Sequence, residues 1–154
     1  MSMNGSSTLG ALPDILALLQ QTYQLRRWLE TEARRVSGCT FSQYLALRAI
    51  QDNNGQRTVS RLAEDLGRTG QTTTSLTDSL ELAGFVRRRR LRNGDRRQVW
   101  VTLTPTGKEV LQKTAAADPP LGAELIGQLV EGTDGHRRLR DAVALVEELM
   151  PAGA

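Results

Sequence analysis

The chain is 154 residues long, enough for one domain with a real core or one small domain carrying appended helices, and too short for a second catalytic domain. No apolar run reaches the roughly 18 residues of a membrane span, so the sequence predicts no membrane partner. Of the net charge of +3, seven arginines and one aspartate between Phe85 and Leu103 supply +6, which leaves about −3 for all the rest: a nearly neutral body with one cationic projection.

Residues 1–11 lack the basic start of a secretory signal, and the apolar stretch after them is broken by Pro13 and Asp14, so they are expected to form a disordered tail. A single cysteine, Cys39, excludes an intrachain disulfide and fits a reducing, cytoplasmic setting. Pro13 suits the first turn of a helix, and Ile15, Leu16, Leu19, Tyr23, Leu25, Leu29 and Val36 recur at spacings of three and four. That pattern predicts a helix from Pro13 to Val36, stopped by Gly38. Thr40-Phe41-Ser42-Gln43 reads as a capping box for a second helix carrying Tyr44, Leu45, Leu47 and Ile50 and ending at Asn53-Asn54-Gly55.

Thr58 caps a short third helix whose Leu62, Ala63 and Leu66 form one apolar face, with Gly67 to end it. A fourth helix is expected from about Thr69, with Leu76, Leu80 and Ala83 inward and Gly84 as its stop. Thr72, Thr73 and Thr74 are poor helix formers, so packing against the third helix must hold it. The run FVRRRRLRNGDRRQVWVTLT then has the grammar of a β-hairpin: Val99, Val101 and Leu103 alternate along its second strand and Asn93-Gly94 supplies the turn. Thr104-Pro105 opens a fifth helix expected to run to about Ala117 before Asp118-Pro119-Pro120. A further apolar run at Leu121, Leu125 and Leu129 precedes a last helix with Leu139, Val143, Val146 and Leu149 on one stripe.

The third helix, the Gly67-Arg68 turn and the fourth helix read as a helix-turn-helix, and the hairpin makes it winged. A helix that reads duplex DNA needs short polar side chains outward, and Thr69, Gln71, Thr72, Thr74 and Ser75 supply them; Gln71 can make a bidentate contact to adenine, and Thr can touch a thymine methyl. A solvated helix face and a charged loop would show the same residues singly. Their succession favours double-stranded DNA as partner.

At these residues the chain resembles the multiple antibiotic resistance regulator (MarR) family of winged-helix transcription factors. The matching pieces are TFSQYLALRAI, TVSRLAEDLG, LTDSLELAGFVRR and GDRRQVWVTLTPTGKEVL, with Asp95-Arg96-Arg97 at the Asp-x-Arg wing motif and Leu103-Thr104 with Gly107 at the LT-x-x-G helix start. The resemblance implies a mainly α fold with a small β-hairpin wing: a winged helix-turn-helix over 39–104 between dimerisation helices at 12–38 and 105–150. It implies a homodimer, a ligand-responsive repressor on a pseudo-palindromic operator, with helix 69–83 in the major groove and wing 87–97 in the minor groove. Carried over, Arg97 is the minor-groove arginine and Asp95 the carboxylate that orients it, with Arg88, Arg90, Arg92 and Arg96 beside them. Two departures stand out. Ser75, Asp78 and Ser79 occupy the middle of the reading helix, where the family often has a base, so phosphate affinity falls to Arg68 and the wing. Pro119-Pro120 interrupts the fifth helix.

The resemblance also implies a small aromatic or phenolic effector in a crevice between the dimer helices and the winged domain. Tyr23, Arg26, Arg27, Trp28 and Tyr44 are the candidates to line it, although aromatics at helical spacing are more often core. Cys39, between the first two helices, reads as a buried inert thiol, and His136 as a surface residue without metal-ligand spacing. No cofactor or metal is expected. No Ser-His-Asp ordering or Gly-rich phosphate loop suggests an enzyme. The alternative is a winged-helix module for RNA or protein contacts.

Overall fold

A computed structural model describes residues 5–90, 98–117 and 134–149, with the side chains of 5–11, His136 and Leu149 outside the description. Its elements are α1 (Gly5–Ser37), α2 (Phe41–Asp52), β1 (Gln56–Thr58), α3 (Val59–Asp65), α4 (Gly70–Leu82), β2 (Val86–Arg90), β3 (Val99–Leu103), α5 (Pro105–Ala115) and α6 (Gly135–Leu149). Mainly helical, with one small antiparallel sheet ordered β1-β3-β2, this is a winged helix-turn-helix with helices before and after it. Among the described residues no helix is long and apolar enough to cross a membrane.

α1 departs from expectation at its start. Residues 5–11, read as tail, are helical, and Pro13 lies inside the helix instead of opening it. The sequence spacing Leu9, Leu12, Leu16, Leu19 carries the helical period upstream of the proline. Pro13 removes one backbone donor and crowds the carbonyl four residues back, which costs about 3 kcal/mol in a helix interior. At the other end Gly38, at φ +74°, donates its N–H to the Arg34 carbonyl at 3.0 Å and turns the chain. Glu30 on α1 accepts from the Phe41 N–H at 3.0 Å, which ties α1 to the first turn of α2.

The helix caps read in the winged unit form as expected. Thr40 and Gln43 make the reciprocal capping box on α2, and Thr58, Thr69 and Thr104 each cap the following helix through the side-chain oxygen. β1 was not expected, since three residues are too few to show a two-residue period. It forms because Asn54 (φ 60°) and Gly55 (φ +78°) turn the chain back along β3, pairing Gln56 with Thr102 and Thr58 with Trp100. Arg57 then binds Asp65 of α3 through two bonds, of 2.8 and 2.9 Å.

The core lies between the helices and the inner face of the sheet: Leu47 and Ile50 of α2, Leu62 of α3, Leu80 of α4, and Val86 and Val101 of the strands are fully buried. On α4 the inward face is Thr73, Leu76, Thr77 and Leu80, a stripe of period 3.6. Ala83, expected inward, is exposed, because the helix ends at Leu82 and the chain turns at Gly84 before another turn is completed. The buried threonines satisfy their hydroxyls within the helix, Thr73 donating to the Thr69 carbonyl and Thr77 to that of Thr74, both at 2.9 Å.

The junction of β3 and α5 is docked on the end of α4. Thr104 donates its N–H to the Phe85 carbonyl at 3.0 Å and its hydroxyl to the Gly84 carbonyl at 2.6 Å. Gly107 lies so close to the Phe85 carbonyl that a Cβ there would collide with it, the steric reason for glycine at this place. α5 ends at Ala115, slightly before the expected Ala117, and Pro119-Pro120 and the run at Leu121, Leu125 and Leu129 lie outside the described residues.

Candidate nucleic-acid interface

The turn between α3 and α4 is closed by its own backbone. Gly67, at φ +59°, donates to the Glu64 carbonyl at 3.1 Å, and the Arg68 N–H reaches the Ala63 carbonyl at 2.9 Å. Two short helices are thereby locked together, and α3 packs on α4. With Thr73, Leu76, Thr77 and Leu80 inward, helical geometry turns Thr69, Gln71, Thr72, Thr74 and Ser75 outward, and all five are exposed. The Thr69 and Thr72 hydroxyls lie 2.9 Å apart, and Thr74 donates to the Gly70 carbonyl at 2.9 Å. Their methyls and remaining lone pairs still face solvent. The Gln71 side chain makes no hydrogen bond among the described residues, which leaves both ends of its amide available.

Arg68 is half-buried, and its guanidinium donates to Ser42 Oγ at 2.7 Å, so this cation stands at the start of α4 braced against α2. Arg88 is held more firmly. Glu81 of α4 accepts from the Arg88 backbone N–H at 3.0 Å and from its Nε at 2.7 Å, while Asp78 pairs with the other end of the guanidinium. Bonded to Arg88 in this way, the Glu81 carboxyl is held below the ordinary carboxylate range, and the Arg88 value is raised. The sequence groups Arg88 with the other wing cations; the structure makes it a tie between the wing and α4. The reason is the acid pair on α4, with Glu81 seven residues and Asp78 ten residues before Arg88.

Arg90 is exposed at the end of β2. Arg92, Asp95, Arg96, Arg97 and the Asn93-Gly94 turn lie outside the described residues. Arg87 and Arg89, which the sequence reading counts in the cationic run without singling them out as contacts, are exposed on the sheet face opposite Arg88. Their signal was the two-residue alternation of a strand applied to the run RRRR.

The five crevice candidates are not gathered into one site. Arg26 lines a depression of about 400 Å³ between α1, α2 and the α3–α4 turn, walled by Leu25, Leu29, Phe41, Leu45 and Leu66 and reached by Arg68. Tyr44 lines another, of about 380 Å³, between α2 and α5 with Arg48, Lys108 and Leu111. Tyr23 and Arg27 are exposed on α1, and Trp28 is half-buried. Cys39 is buried, with its sulfur 2.9 Å from Ser37 Oγ; burial pushes the thiol up, against the opposing pull of that hydrogen bond. The His136 side chain lies outside the described residues. Among the described residues no three His, Cys, Asp or Glu side chains group as metal ligands.

The geometry agrees with the comparisons. The MarR family model matches residues 37–98, the span from the end of α1 to the last residue before β3. Among solved structures, the chain is similar to the MepR–DNA complex of S. aureus (20% identity, 88% of this chain and 96% of that chain, TM-score 0.71). It is similar to the M. tuberculosis transcriptional regulator MosR in complex with DNA (23% identity, 88% and 93%, TM-score 0.69). It is also similar to Bordetella bronchiseptica BpsR, described for regulation of DNA binding by 6-hydroxynicotinic acid (22% identity, 88% and 98%, TM-score 0.67). No curated protein matches the chain by sequence. The winged segment is thus similar in sequence to the MarR family, and nearly the whole chain shares its fold with these structures.

Proposed function

We propose that the protein is a dimeric transcriptional regulator that binds a pseudo-palindromic operator, with α4 in the major groove and the wing at the minor groove, and that a small aromatic or phenolic effector weakens that binding. The observation that carries this reading is the outer face of α4. Thr69, Gln71, Thr72, Thr74 and Ser75 are exposed together, with no acid before Asp78, and the arginine wing is tied to the same helix by Arg88. Short polar groups suit base edges, and a nearby cationic ribbon suits phosphates and a narrow groove. The neighbours solved with DNA support the same assignment.

Dimerisation is supported by apolar surface outside the winged core. α1 exposes Leu16, Leu19 and Tyr23, and α6 exposes Leu139, Val143 and Val146. The effector reading is supported by the depression at Arg26, which joins an apolar wall to two guanidiniums, as an aromatic carboxylate or phenolate requires. Arg68 belongs both to that depression and to the entry of α4. A ligand that engages it would pull on the Ser42 bond and shift the reading helix, and repression follows where the operator overlaps a promoter.

The test is selection of bound duplexes from a random pool, followed by footprinting. The expected product is an inverted repeat with half-site centres about one helical turn apart, roughly 10 base pairs. Absence of any enriched sequence, or equal competition by duplex RNA, would overturn the reading.

A further inference from the structure

We infer that α6 selects its own partner by charge: Arg140 and Glu147, on one flank of its apolar row, fit an antiparallel α6 of a second copy of this chain and disfavour other pairings. This rests on the dimer proposed above, and adds the direction in which the helices pair and the residues that fix it.

The charges of α6 stand in an unfavourable order. Arg137, Arg138 and Arg140 lie toward its N-terminus and Glu147 and Glu148 in its last turn, so each end carries the sign that the helix dipole disfavours. Arg137 pairs with Asp134, but neither Arg140 nor Glu147 has an ion-pair partner among the described residues. Every side chain from Arg137 to Glu148 is exposed, so no described neighbour within the chain offsets that order.

A helix turns about 100° per residue, so Leu139, Val143 and Val146 form one row, with Arg140 and Glu147 roughly a quarter turn away on the same side of it. Arg138 lies on the other side. Seven residues apart, Arg140 and Glu147 are separated by about 10.5 Å along the axis, too far to pair with each other. Where two antiparallel helices meet along such a row, each flank faces the same flank of its partner. A two-fold axis between Val143 and Ala144 then sets Arg140 against the partner's Glu147, and Glu147 against the partner's Arg140. One pair of residues thus serves both ends of the contact. Parallel pairing would bring Arg140 to the flank that carries Arg138, like charge against like, and a helix without this order would leave both charges unmatched. The occupant that satisfies α6 is therefore a second α6 turned end for end, which also opposes the two helix dipoles.

The test is sedimentation equilibrium of the full chain over a range of concentrations. Arg140→Glu and Glu147→Arg each turn both contacts into like charges, and each should raise the dimer Kd by about 10- to 30-fold. Mixed in equal amounts, the two variants should form a heterodimer of near wild-type affinity, because each then meets the opposite sign. Arg140→Glu/Glu147→Arg keeps the charges and reverses their order, and should dimerise like the wild type. Single variants that dimerise as tightly as the wild type would overturn the proposal, and so would a double variant or a mixture as weak as the singles. A wild-type chain that stays monomeric at micromolar concentration would instead overturn the dimer on which it stands.

Discussion

Arg88 and Cys39 show how a side chain's surroundings change what its type suggests. Arg88 has the charge of a DNA contact and the partners of a structural tie: its N–H and Nε both donate to Glu81, at 3.0 and 2.7 Å. Because Glu81 is held below its ordinary value by that bond, its contribution to stability is complete above the unfolded carboxylate value, near about 4.3, and is lost as pH falls through the lower folded value. Glu81→Gln should therefore lower stability by about 0.5 to 1 kcal/mol at pH 7, and the difference from wild type should shrink in thermal melts taken toward pH 3. A difference independent of pH would mean that the carboxylate charge is not what holds the tie. Cys39 is the converse case, a reactive type in an unreactive place. Burial raises its thiol, so a thiolate-directed reagent at pH 7.5 should label the native chain far more slowly than the unfolded one, and rapid native labelling would show the sulfur to be accessible. The sequence made the cationic run plain but not which of its arginines are free, because that depends on acids seven and ten residues away on another element.

At the scale of the element, each helix start in the winged unit was legible because caps are local chemistry: an oxygen at Thr40, Thr58, Thr69 or Thr104 meets the backbone donor three residues on. What depends on distant partners was not. β1 exists only because β3 lies beside it, and Ala83 is exposed because the chain leaves α4 just where the apolar stripe would have continued. The start of α1 was misread because proline at a helix start is a statistical preference, whereas the apolar spacing runs straight through it. The junction at Gly107 offers a direct measurement. Gly107→Ala puts a methyl against the Phe85 carbonyl, which already accepts from the Thr104 N–H, so either the bond or the α5 docking must yield. The expected cost is about 1 to 3 kcal/mol in denaturant melts with an unchanged m-value. A change near zero would show that the junction relaxes freely.

For the molecule as a whole, the winged unit and the terminal helices differ in what they leave uncovered. The winged unit buries Leu47, Leu62, Leu80 and Val101 completely, whereas Leu19 and Tyr23 on the 33-residue α1 are about 60% exposed, and Leu139 and Val143 on α6 about half. Apolar rows of that kind on two helices outside the core call for a cover, and under the proposed dimer a second copy of the same helices would supply one with matching periodicity. Sedimentation at micromolar concentration should therefore show a dimer without DNA. Val143→Glu/Val146→Glu places charges on the α6 row and should yield monomers, with the winged unit intact because neither residue reaches its core. Two half-sites on one duplex are then bound independently, and the loss of effective concentration should weaken binding to the full inverted repeat by about 100- to 10,000-fold, with binding to an isolated half-site little altered. A stable wild-type monomer, or a monomeric variant that still holds the full repeat with wild-type affinity, would mean that α1 and α6 serve some purpose other than joining two reading helices across one operator.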